Sequence, residues 1–398
     1  MSETWRRLVS LFLVFLRLGL TSFGGPVVHL GYFRAELVER RRWLGDQGYA
    51  ELVALCQFLP GPASSQVVIG IGLTRGGVAG ALAASLGFTL PSLAAMILFG
   101  YGLAVLGGDA AGAGWIHALK VVAAAVVAQA IWAMGRSLCP DRLRASIALS
   151  AAVMLVLWPL PGMQLAVIGA GALIGWRGCA VPAADAGDVL PVTIGRRTAA
   201  LLLGVFALLL AWAVLGPISA GLPGLDLFAL MYRTGALVFG GGHVVLPLLE
   251  SQMVAGGRVG ADAFLAGYGA AQALPGPLFT FAGFLGVVQG PAPNGWLGGL
   301  VAVAGIFLPS FLLVFGVLPF WARLRRSRAA RAALAGVNAA VVGLLIAVFY
   351  DPVWRSAIRD GSDFALALAA FGLLAVWRVP AWMVVIGAGG LAWLAGWM

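Results

Sequence analysis

The feature that most constrains this chain is an internal repeat of glycine and proline motifs. The motifs lie inside apolar segments, where such residues interrupt a helix and free backbone N–H and C=O groups. Lipid tolerates these groups only where protein or a water-filled cavity surrounds them. The first copy contains Phe23-Gly24-Gly25-Pro26 and Gln57-Phe58-Leu59-Pro60-Gly61-Pro62, and the second contains Phe239-Gly240-Gly241-Gly242 and Gln272-Ala273-Leu274-Pro275-Gly276-Pro277. Duplicated interruptions of this kind are typical of a secondary transporter's substrate site.

The repeat extends beyond these motifs and keeps its order along the chain. Three further pairs match: Leu90-Pro91-Ser92 with Leu308-Pro309-Ser310, Ala125-Val126-Val127 with Ala340-Val341-Val342, and Val167-Ile168-Gly169-Ala170-Gly171 with Val385-Ile386-Gly387-Ala388-Gly389. All the pairs are separated by 215 to 218 residues. Apolar helices can resemble one another by chance, but several matches in one order indicate internal duplication.

The composition places this duplicated chain in a membrane. Of its 398 residues, 61% are hydrophobic and 10% are charged, unlike a soluble domain. The net charge of +10 comes from arginines in short clusters between apolar segments, which are topology signals rather than a nucleic-acid surface. The cysteines have no metal or redox spacing, and no phosphate-loop, metalloprotease or serine-hydrolase motif is present. We predict an all-α polytopic membrane protein that is not an enzyme and binds no metal or cofactor.

Thirteen apolar segments are candidate membrane elements. Six lie in each half, and an extra one lies between the halves at about 198–216. Those of the first half cover about 8–31, 49–73, 77–106, 115–136, 145–160 and 163–177, and those of the second cover about 226–249, 263–288, 296–320, 332–350, 363–377 and 380–397. The predicted domains are an N-terminal transporter repeat over 1–178, a cytoplasmic linker with the extra helix over 179–225, and a C-terminal transporter repeat over 226–398.

Loop charges indicate that the two halves have opposite orientations. The loop after the third segment has no basic residue in the first half, whereas its counterpart at 323–331 has five arginines. The next loop reverses the bias, with an excess of arginine at 136–144 and an excess of aspartate at 351–363. Basic loops favour the cytoplasm. We therefore predict inverted repeats, with the N-terminus and linker in the cytoplasm and the C-terminus outside.

The loop at 32–46 leaves two topologies open. It holds four arginines and would lie outside, against the positive-inside bias, if segments 8–31 and 49–73 both crossed the membrane. If both segments instead enter, break at their glycine or proline cluster and return, the loop lies in the cytoplasm. Glu36, Glu39 and Asp46 weaken the charge bias without removing it, and we favour re-entry.

One arginine lies six residues before each Phe-Gly motif, so the two arginines are at matching positions in the repeat. An arginine in an apolar segment costs about 2.5 kcal/mol or more on insertion scales, and it cannot lose its charge. Arg17 and Arg233 could each extend to the membrane surface instead. Because both recur beside a helix break, we favour a role in attracting an anion.

The two Pro-Gly-Pro motifs predict an oxyanion site built largely from backbone. A proline suits the first turn of a helix, so the helices starting there would present free N–H groups and a positive dipole end. A structural kink with locally satisfied hydroxyls is the alternative. The predicted substrate-binding residues are Arg17, Ser22, Gly24, Gly25, Gln57, Gly61, Ser64, Ser65, Arg233, Gly240, Gly241, Gln272, Gly276 and Thr280. The predicted helix breaks are at Pro26, Pro60, Pro62, Gly242, Pro275 and Pro277.

Two histidines follow the glycine breaks. His29 and His243 are candidate proton carriers, because a neutral imidazole is tolerated in a membrane cavity and protonates near physiological pH. A hydrogen-bonded packing role is the alternative for both. Lys120, the only lysine, is expected to extend to the membrane surface.

These motifs resemble the bacterial chromate transporter family in its long, fused two-domain form. The resemblance is carried by residues 18–26 with His29, and by 57–62, 239–243 and 272–277. It covers nearly the whole chain. It implies a protein of the bacterial cytoplasmic membrane that exports chromate, confers chromate resistance and recognises sulfate as a related tetrahedral dianion.

Together, residues and resemblance predict a secondary transporter whose partners are a small oxyanion, chromate or sulfate, and the lipid bilayer, with no nucleic acid. A sulfate importer or exchanger would use the same site, and an anion channel is a further alternative. The sequence leaves open the physiological substrate, the choice between proton coupling and potential-driven movement, and the oligomeric state, a homo-oligomer included.

Overall fold

The computed structural model of this chain is helical. It describes residues 3–111, 114–160, 162–181, 194–216, 222–239 and 245–394, and every regular element within these ranges is a helix. The α-helices are α1 (Glu3–Thr21), α2 (Pro26–Phe33), α3 (Asp46–Phe58), α4 (Ala63–Ala111), α5 (Gly114–Leu138), α6 (Arg142–Leu157), α7 (Met163–Gly178), α8 (Arg196–Leu215), α9 (Pro223–Leu237), α10 (Val245–Met253), α11 (Ala261–Ala273), α12 (Phe281–Val288), α13 (Gly295–Val317), α14 (Trp321–Leu324), α15 (Arg328–Val348), α16 (Arg355–Ala357), α17 (Gly361–Ala375) and α18 (Ala381–Leu394).

Short helical turns of other types extend several of these helices. They are π-helical at Arg34–Arg40 and Phe349–Trp354, and 3-10 at Leu278–Thr280 and Leu318–Phe320. Five helical stretches are long and apolar enough to cross a membrane: Ala63–Leu103, His117–Leu138, Arg196–Leu215, Gly295–Leu324 and Arg328–Ala357. The prediction of an all-α polytopic membrane protein is confirmed.

Helix α4 is a hairpin rather than a straight rod. A Cβ built on Gly72 would lie 2.5 Å from the carbonyl oxygen of Gly80. Eight residues of straight helix would separate these positions by about 12 Å. The reversal occurs at Gly77, whose φ of +62° is a backbone conformation that glycine adopts without steric cost. The first arm of α4 is therefore the latter part of the second predicted segment, and the second arm is the third predicted segment.

The first two apolar segments also reverse at their breaks. The rings of Phe15 in α1 and Phe33 in α2 are 6.3 Å apart, and a Cβ on Gly70 of α4 would lie 2.5 Å from Leu52 Cδ1 of α3. In a continuous helix each pair would be about 27 Å apart. Each segment is thus a pair of antiparallel helices, the geometry that the re-entrant alternative requires.

The open ends of these hairpins lie together. The Arg41 and Arg75 guanidinium carbons are 5.5 and 5.3 Å from the Trp43 ring centroid, and a Cβ on Gly76 would lie 3.5 Å from Leu8 Cδ2, near the start of α1. The start of α1, the loop after the Arg34–Arg40 turn and the bend in α4 therefore share one end. Since this end is rich in arginine, it has the composition of a cytoplasmic face.

The chain forms two compact units, each drawing on both halves. Unit 1 consists of Met1–Val105, Ala186–Gly242 and Ala271–Ala322, and unit 2 consists of Leu106–Asp185, His243–Ala270 and Arg323–Met398. The predicted domain boundaries near residues 178 and 225 describe the sequence repeat, and they stay a prediction.

Unit 1 repeats one helix crossing in its two halves. In the first half, a Cβ on Gly19 of α1 would lie 2.5 Å from Phe88 O of α4. In the second, a Cβ on Gly235 of α9 would lie 2.1 Å from Ile306 O of α13. These glycines allow the backbones to touch one turn before each Phe-Gly break. The crossing thus fixes where each break lies relative to the long helix beside it.

The extra helix α8 packs on α9 and α13 in unit 1. The Tyr232 hydroxyl of α9 donates a hydrogen bond to Phe206 O of α8 at 3.1 Å. Leu201, Leu208 and Leu215 lie on the opposite side, seven residues apart, and are more than two-thirds exposed. An exposed leucine stripe at this spacing is a lipid-facing surface.

Unit 2 interleaves helices from the two halves. Helix α5 of the first half packs on α17 and α18 of the second, while α15 of the second packs on α6 and α7 of the first. A Cβ on Gly336 of α15 would lie 2.0 Å from Gly171 O of α7, and one on Gly343 would lie 2.3 Å from Ala148 O of α6. Small residues permit this packing, as is usual between membrane helices.

Candidate functional site

The Pro-Gly-Pro motifs form two tips in unit 1. The first tip, residues 59–62, joins α3 to α4, and the second tip, residues 274–277, joins α11 to the 3-10 turn at Leu278–Thr280. The following helices begin one residue after Pro62 and Pro277, so these prolines cap the helices rather than occupying the first turn. Gln66 N–H donates to Pro62 O at 2.9 Å, and Thr280 N–H donates to Pro277 O at 3.1 Å.

The two tips are held by a reciprocal pair of backbone hydrogen bonds. Gly61 N–H of the first half donates to Val238 O of the second at 2.6 Å, and Gly276 N–H of the second donates to Ser22 O of the first at 3.0 Å. Val238 and Ser22 are the residues just before the two Phe-Gly motifs. Each tip therefore binds the residue that precedes the Phe-Gly motif of the other half, and the two glycine N–H groups predicted to hold an anion are already used.

Both tip glycines are required by backbone conformation and by space. Gly61 has a φ of +119° and Gly276 a φ of +96°, which side-chain-bearing residues rarely adopt. A Cβ on Gly61 would lie 2.8 Å from Ser310 Oγ, and one on Gly276 would lie 2.8 Å from Ser92 Oγ. The two serines are equivalent in the repeat, and each contacts the tip of the other half.

Several polar atoms of unit 1 are buried without a hydrogen-bond partner. Burying such an atom costs about 1–3 kcal/mol, so a group of them is a place where a polar ligand or water is expected. Among the described residues of unit 1 near the two breaks they include Ser22 Oγ, Ser65 Oγ, Gln66 Oε1, Gln272 Nε2 and Ser310 Oγ. Three of these residues, Ser22, Ser65 and Gln272, are predicted site residues.

Sequence reasoning missed Gln66, Ser92 and Ser310. Gln66 is fully buried and its Nε2 donates to Pro60 O at 2.6 Å, closing the first tip. Ser92 and Ser310 belong to the Leu-Pro-Ser pair, which was recognised as part of the repeat but not as part of a site. Their recurrence in both halves, in the same order after the tips, was the available signal.

The other predicted donors at the tips differ in their surroundings. Ser64 is buried, whereas Gln57 is exposed near the end of α3. The Thr280 hydroxyl is buried and donates to Pro277 O at 2.8 Å, so its proton is used within its own turn. Pro60 and Pro275, the first prolines of the two tips, are half-buried.

The two predicted arginines lie on the helices that lead into the Phe-Gly breaks. Arg17 is exposed on α1, whose buried side chains include Val14, Phe15 and Leu18. Arg233 is half-buried on α9 and interacts with other groups of the protein. The described contacts do not place either guanidinium at a tip. Their anion-attracting role stays a prediction.

The first glycine break has the expected geometry. Gly24 and Gly25 have φ values of +101° and +81°, and α2 begins at Pro26. His29 is buried, with its ring 5.6 Å from that of Phe88 and its Nδ1 without a partner. Of the second break, Gly240, Gly241, Gly242 and His243 lie outside the described residues.

Unit 2 contains two pairs of a basic side chain with an aspartate that the sequence did not indicate, and at least one member of each pair is buried. Lys120 Nζ lies 2.8 Å from Asp262 Oδ1, and the lysine is fully buried, so the expectation that it reaches the membrane surface is wrong. His117 Nε2 lies 2.7 Å from Asp363 Oδ1, and the other oxygen of that carboxylate accepts from Arg359 N–H. Both pairs join α5 of the first half to elements of the second half.

Comparisons with known proteins match nearly the full length of the chain. A family model described as "Chromate transporter" matches it twice, over residues 9–176 and 225–393. The chain is 30% identical to the chromate transport protein of Pseudomonas aeruginosa, covering 98% of this chain and 91% of that protein. It is 30% identical to the chromate transport protein of Cupriavidus metallidurans, covering 97% and 92%. It is 27% identical to a probable chromate transport protein of Synechococcus elongatus, covering 92% and 88%. No solved structure matches the chain.

Proposed function

Because this chain belongs to the chromate transporter family, we propose that it is a secondary transporter that exports chromate across the bacterial cytoplasmic membrane and thereby confers chromate resistance. The observation that carries the site is the reciprocal hydrogen bonding of the two tips. It joins helix breaks of both halves beside buried polar atoms that have no protein partner. A desolvated tetrahedral dianion would satisfy the donors among them, which are the three serine hydroxyls and the Gln272 amide nitrogen.

The proposed topology follows from charge. The arginine-rich end of unit 1, formed by the start of α1, the loop after Arg34–Arg40 and the bend in α4, would face the cytoplasm. The first two segments would then be re-entrant, with the first Phe-Gly break and the first tip inside the membrane. Inversion of the second half would place the C-terminus outside.

Membrane potential alone could drive the proposed export. Moving one elementary charge through 100 mV is worth about 2.3 kcal/mol, so a dianion leaving an inside-negative cell gains about 4.6 kcal/mol. That corresponds to a concentration ratio of about three orders of magnitude, since each 1.4 kcal/mol is a factor of ten. Export of a divalent anion therefore needs no coupled ion.

Arg17 and Arg233 are proposed to attract the anion toward the breaks. Their matched positions place one cation on each helix that leads into a Phe-Gly motif. Fixed positive charges along an entry path raise the local concentration and the association rate of an anion. This role does not require either guanidinium to contact the bound oxyanion.

The test is radiolabelled chromate uptake into sealed inside-out vesicles under an imposed potential. The parent should show saturable uptake that sulfate inhibits, and Arg17→Ala and Arg233→Ala should reduce it at equal expression. Arg6→Ala, on the exposed start of α1, is the matched control. Normal uptake by both arginine variants would refute their role.

Three other outcomes would each contradict a different part of the proposal: the substrate, the carrier mechanism or the driving force. Sulfate uptake with no chromate uptake would indicate a sulfate importer or exchanger. Non-saturating flux with single-channel currents would indicate a channel. Flux that follows an imposed pH gradient at zero potential would replace potential-driven movement by proton coupling.

A further inference from the structure

The Leu-Pro-Ser motifs lie on the long helices of unit 1, in α4 and α13. Ser310 is fully buried and its Oγ has no partner within the described residues. Ser92 is 2% exposed, and its hydroxyl donates to Thr89 O at a long 3.2 Å. Such a back-bond to the preceding turn is weak and easily exchanged for a stronger acceptor. Both serines are therefore buried hydroxyls that can still donate to a ligand.

The two serines are placed crosswise. Ser310 of the second half stands against Gly61 of the first tip, and Ser92 of the first half stands against Gly276 of the second tip. Each separation, from Oγ to a Cβ built on the glycine, is 2.8 Å, so nothing larger than hydrogen fits on either glycine. The same close contact between a glycine and a serine therefore places one hydroxyl at each tip.

The N–H groups of Gly61 and Gly276 cannot also bind the anion, because each already donates a hydrogen bond to a backbone carbonyl. At the first tip the Gln66 amide nitrogen is also used, by Pro60 O. The donors left beside the tips are the hydroxyls of Ser310, Ser92 and Ser22, together with the amide nitrogen of Gln272. A hydrogen bond to a charged ligand from such a donor contributes more than one between neutral groups.

We propose that Ser92 and Ser310 are the paired ligands of the transported oxyanion, each supplied by one half of the chain to the tip of the other half. The inference rests on the proposed function and assigns the substrate class as a tetrahedral dianion held by uncharged donors. Since each serine belongs to the half opposite its tip, a movement that separates the halves withdraws both hydroxyls from the anion. The anion would thus bind when the two halves are together and be released when they separate.

Equilibrium binding to the purified protein tests this directly, with labelled sulfate and labelled chromate as probes. Ser310→Ala and Ser92→Ala should each weaken the binding of both anions by about 10- to 100-fold, the loss of one hydrogen bond to a charged group. Ser85→Ala is the matched control. Ser85 lies on α4 about two turns before Ser92, and its Oγ is also buried without a partner. Parent-like affinity in both serine variants would overturn the proposal.

A second measurement does not depend on replacing either serine by alanine. In a background with Cys56, Cys139 and Cys179 replaced, Ser310→Cys should react with a methanethiosulfonate reagent, and saturating sulfate should slow that reaction at least fivefold. Nitrate, a planar monoanion, should not protect. A modification rate that sulfate leaves unchanged would count against the site.

The two proposals fail differently. Sulfate binding that depends on both serines, in a protein that moves no chromate, would support the serine site and refute chromate export. Normal chromate flux in vesicles from Ser310→Ala and Ser92→Ala would support export and refute the serine site.

Discussion

Replacing a tip glycine by alanine gives the sharpest test of the reciprocal arrangement. At Gly61 the φ of +119° lies in a region that is almost exclusive to glycine, and a side chain there costs about 1–3 kcal/mol. The new Cβ would also lie 2.6 Å from Gln66 Nε2 and 2.8 Å from Ser310 Oγ. Both neighbours are tightly buried, and overpacking of this kind costs about 1–3 kcal/mol. We therefore expect Gly61→Ala to destabilise unit 1 by about 2–6 kcal/mol.

The corresponding change in the second half should be milder. At Gly276 the φ is +96°, and the only contact of the new Cβ below 3.0 Å is with Ser92 Oγ, at 2.8 Å. The double variant Gly61→Ala/Ser310→Ala should recover about 1 kcal/mol, because it removes one of the two short contacts but leaves the backbone strain. It should not recover anion binding.

Stability would be measured by denaturant titration in detergent, alongside labelled chromate uptake in vesicles. Gly102→Ala is the matched control, since a Cβ at that position of α4 meets no atom within 4 Å. Alanine in place of glycine inside a helix should leave stability unchanged or raise it by up to about 1 kcal/mol. If Gly61→Ala unfolded like Gly102→Ala and retained uptake, the tip geometry described above would be wrong.

Three further predictions concern other parts of the chain. Gly336→Val should destabilise unit 2 by about 3 kcal/mol or more, because its Cβ would lie 2.0 Å from a carbonyl oxygen, whereas Gly169→Ala, with open space around it, should be neutral in the same denaturant titration. Asp363→Ala should cost about 1–3 kcal/mol by removing the hydrogen-bond partner of His117 and of Arg359 N–H, and a double variant with His117→Ala should recover part of that loss in a mutant cycle. In a cysteine-free background, a cysteine in place of Arg40 should react with an impermeant maleimide in inside-out vesicles and not in intact cells, and the reverse labelling would refute re-entry.

The sequence predicts the helical elements well because their signals are local. Apolar length and glycine or proline breaks depend on neighbouring residues, and the thirteen segments reappear as helices, broken at the predicted motifs wherever the structure describes them. The reversal at Gly77 was also readable as a boundary between two segments. The direction of the chain at residues 22–25 and 59–62 was only suggested by loop charge. Contacts such as that of Leu52 with Gly70 decide it.

The partners of buried polar groups could not be read in the same way. His117 and Asp363 are 246 residues apart, and Lys120 and Asp262 are 142 apart. No local pattern pairs them, since the pairing comes from the interleaving of α5 with helices of the second half. The tip glycines show the same limit. Their conformation follows from their sequence context, but the carbonyls that occupy their N–H groups come from the other half.

The charge of the anion explains why arginines and serines would have separate roles at this proposed site. Two arginines in contact with a dianion would make a neutral complex, so the membrane potential would act on the return of the empty, positively charged site rather than on the step that moves the anion. Hydroxyl donors leave the charge of the anion uncompensated, so the roughly 4.6 kcal/mol per 100 mV acts on the step that moves the loaded site. Arg17, exposed on α1, suits attraction, whereas Ser310, fully buried at a tip, suits binding. A carrier that releases its substrate against a gradient needs this division, because an ion pair buried with the anion would be held in low dielectric and released slowly.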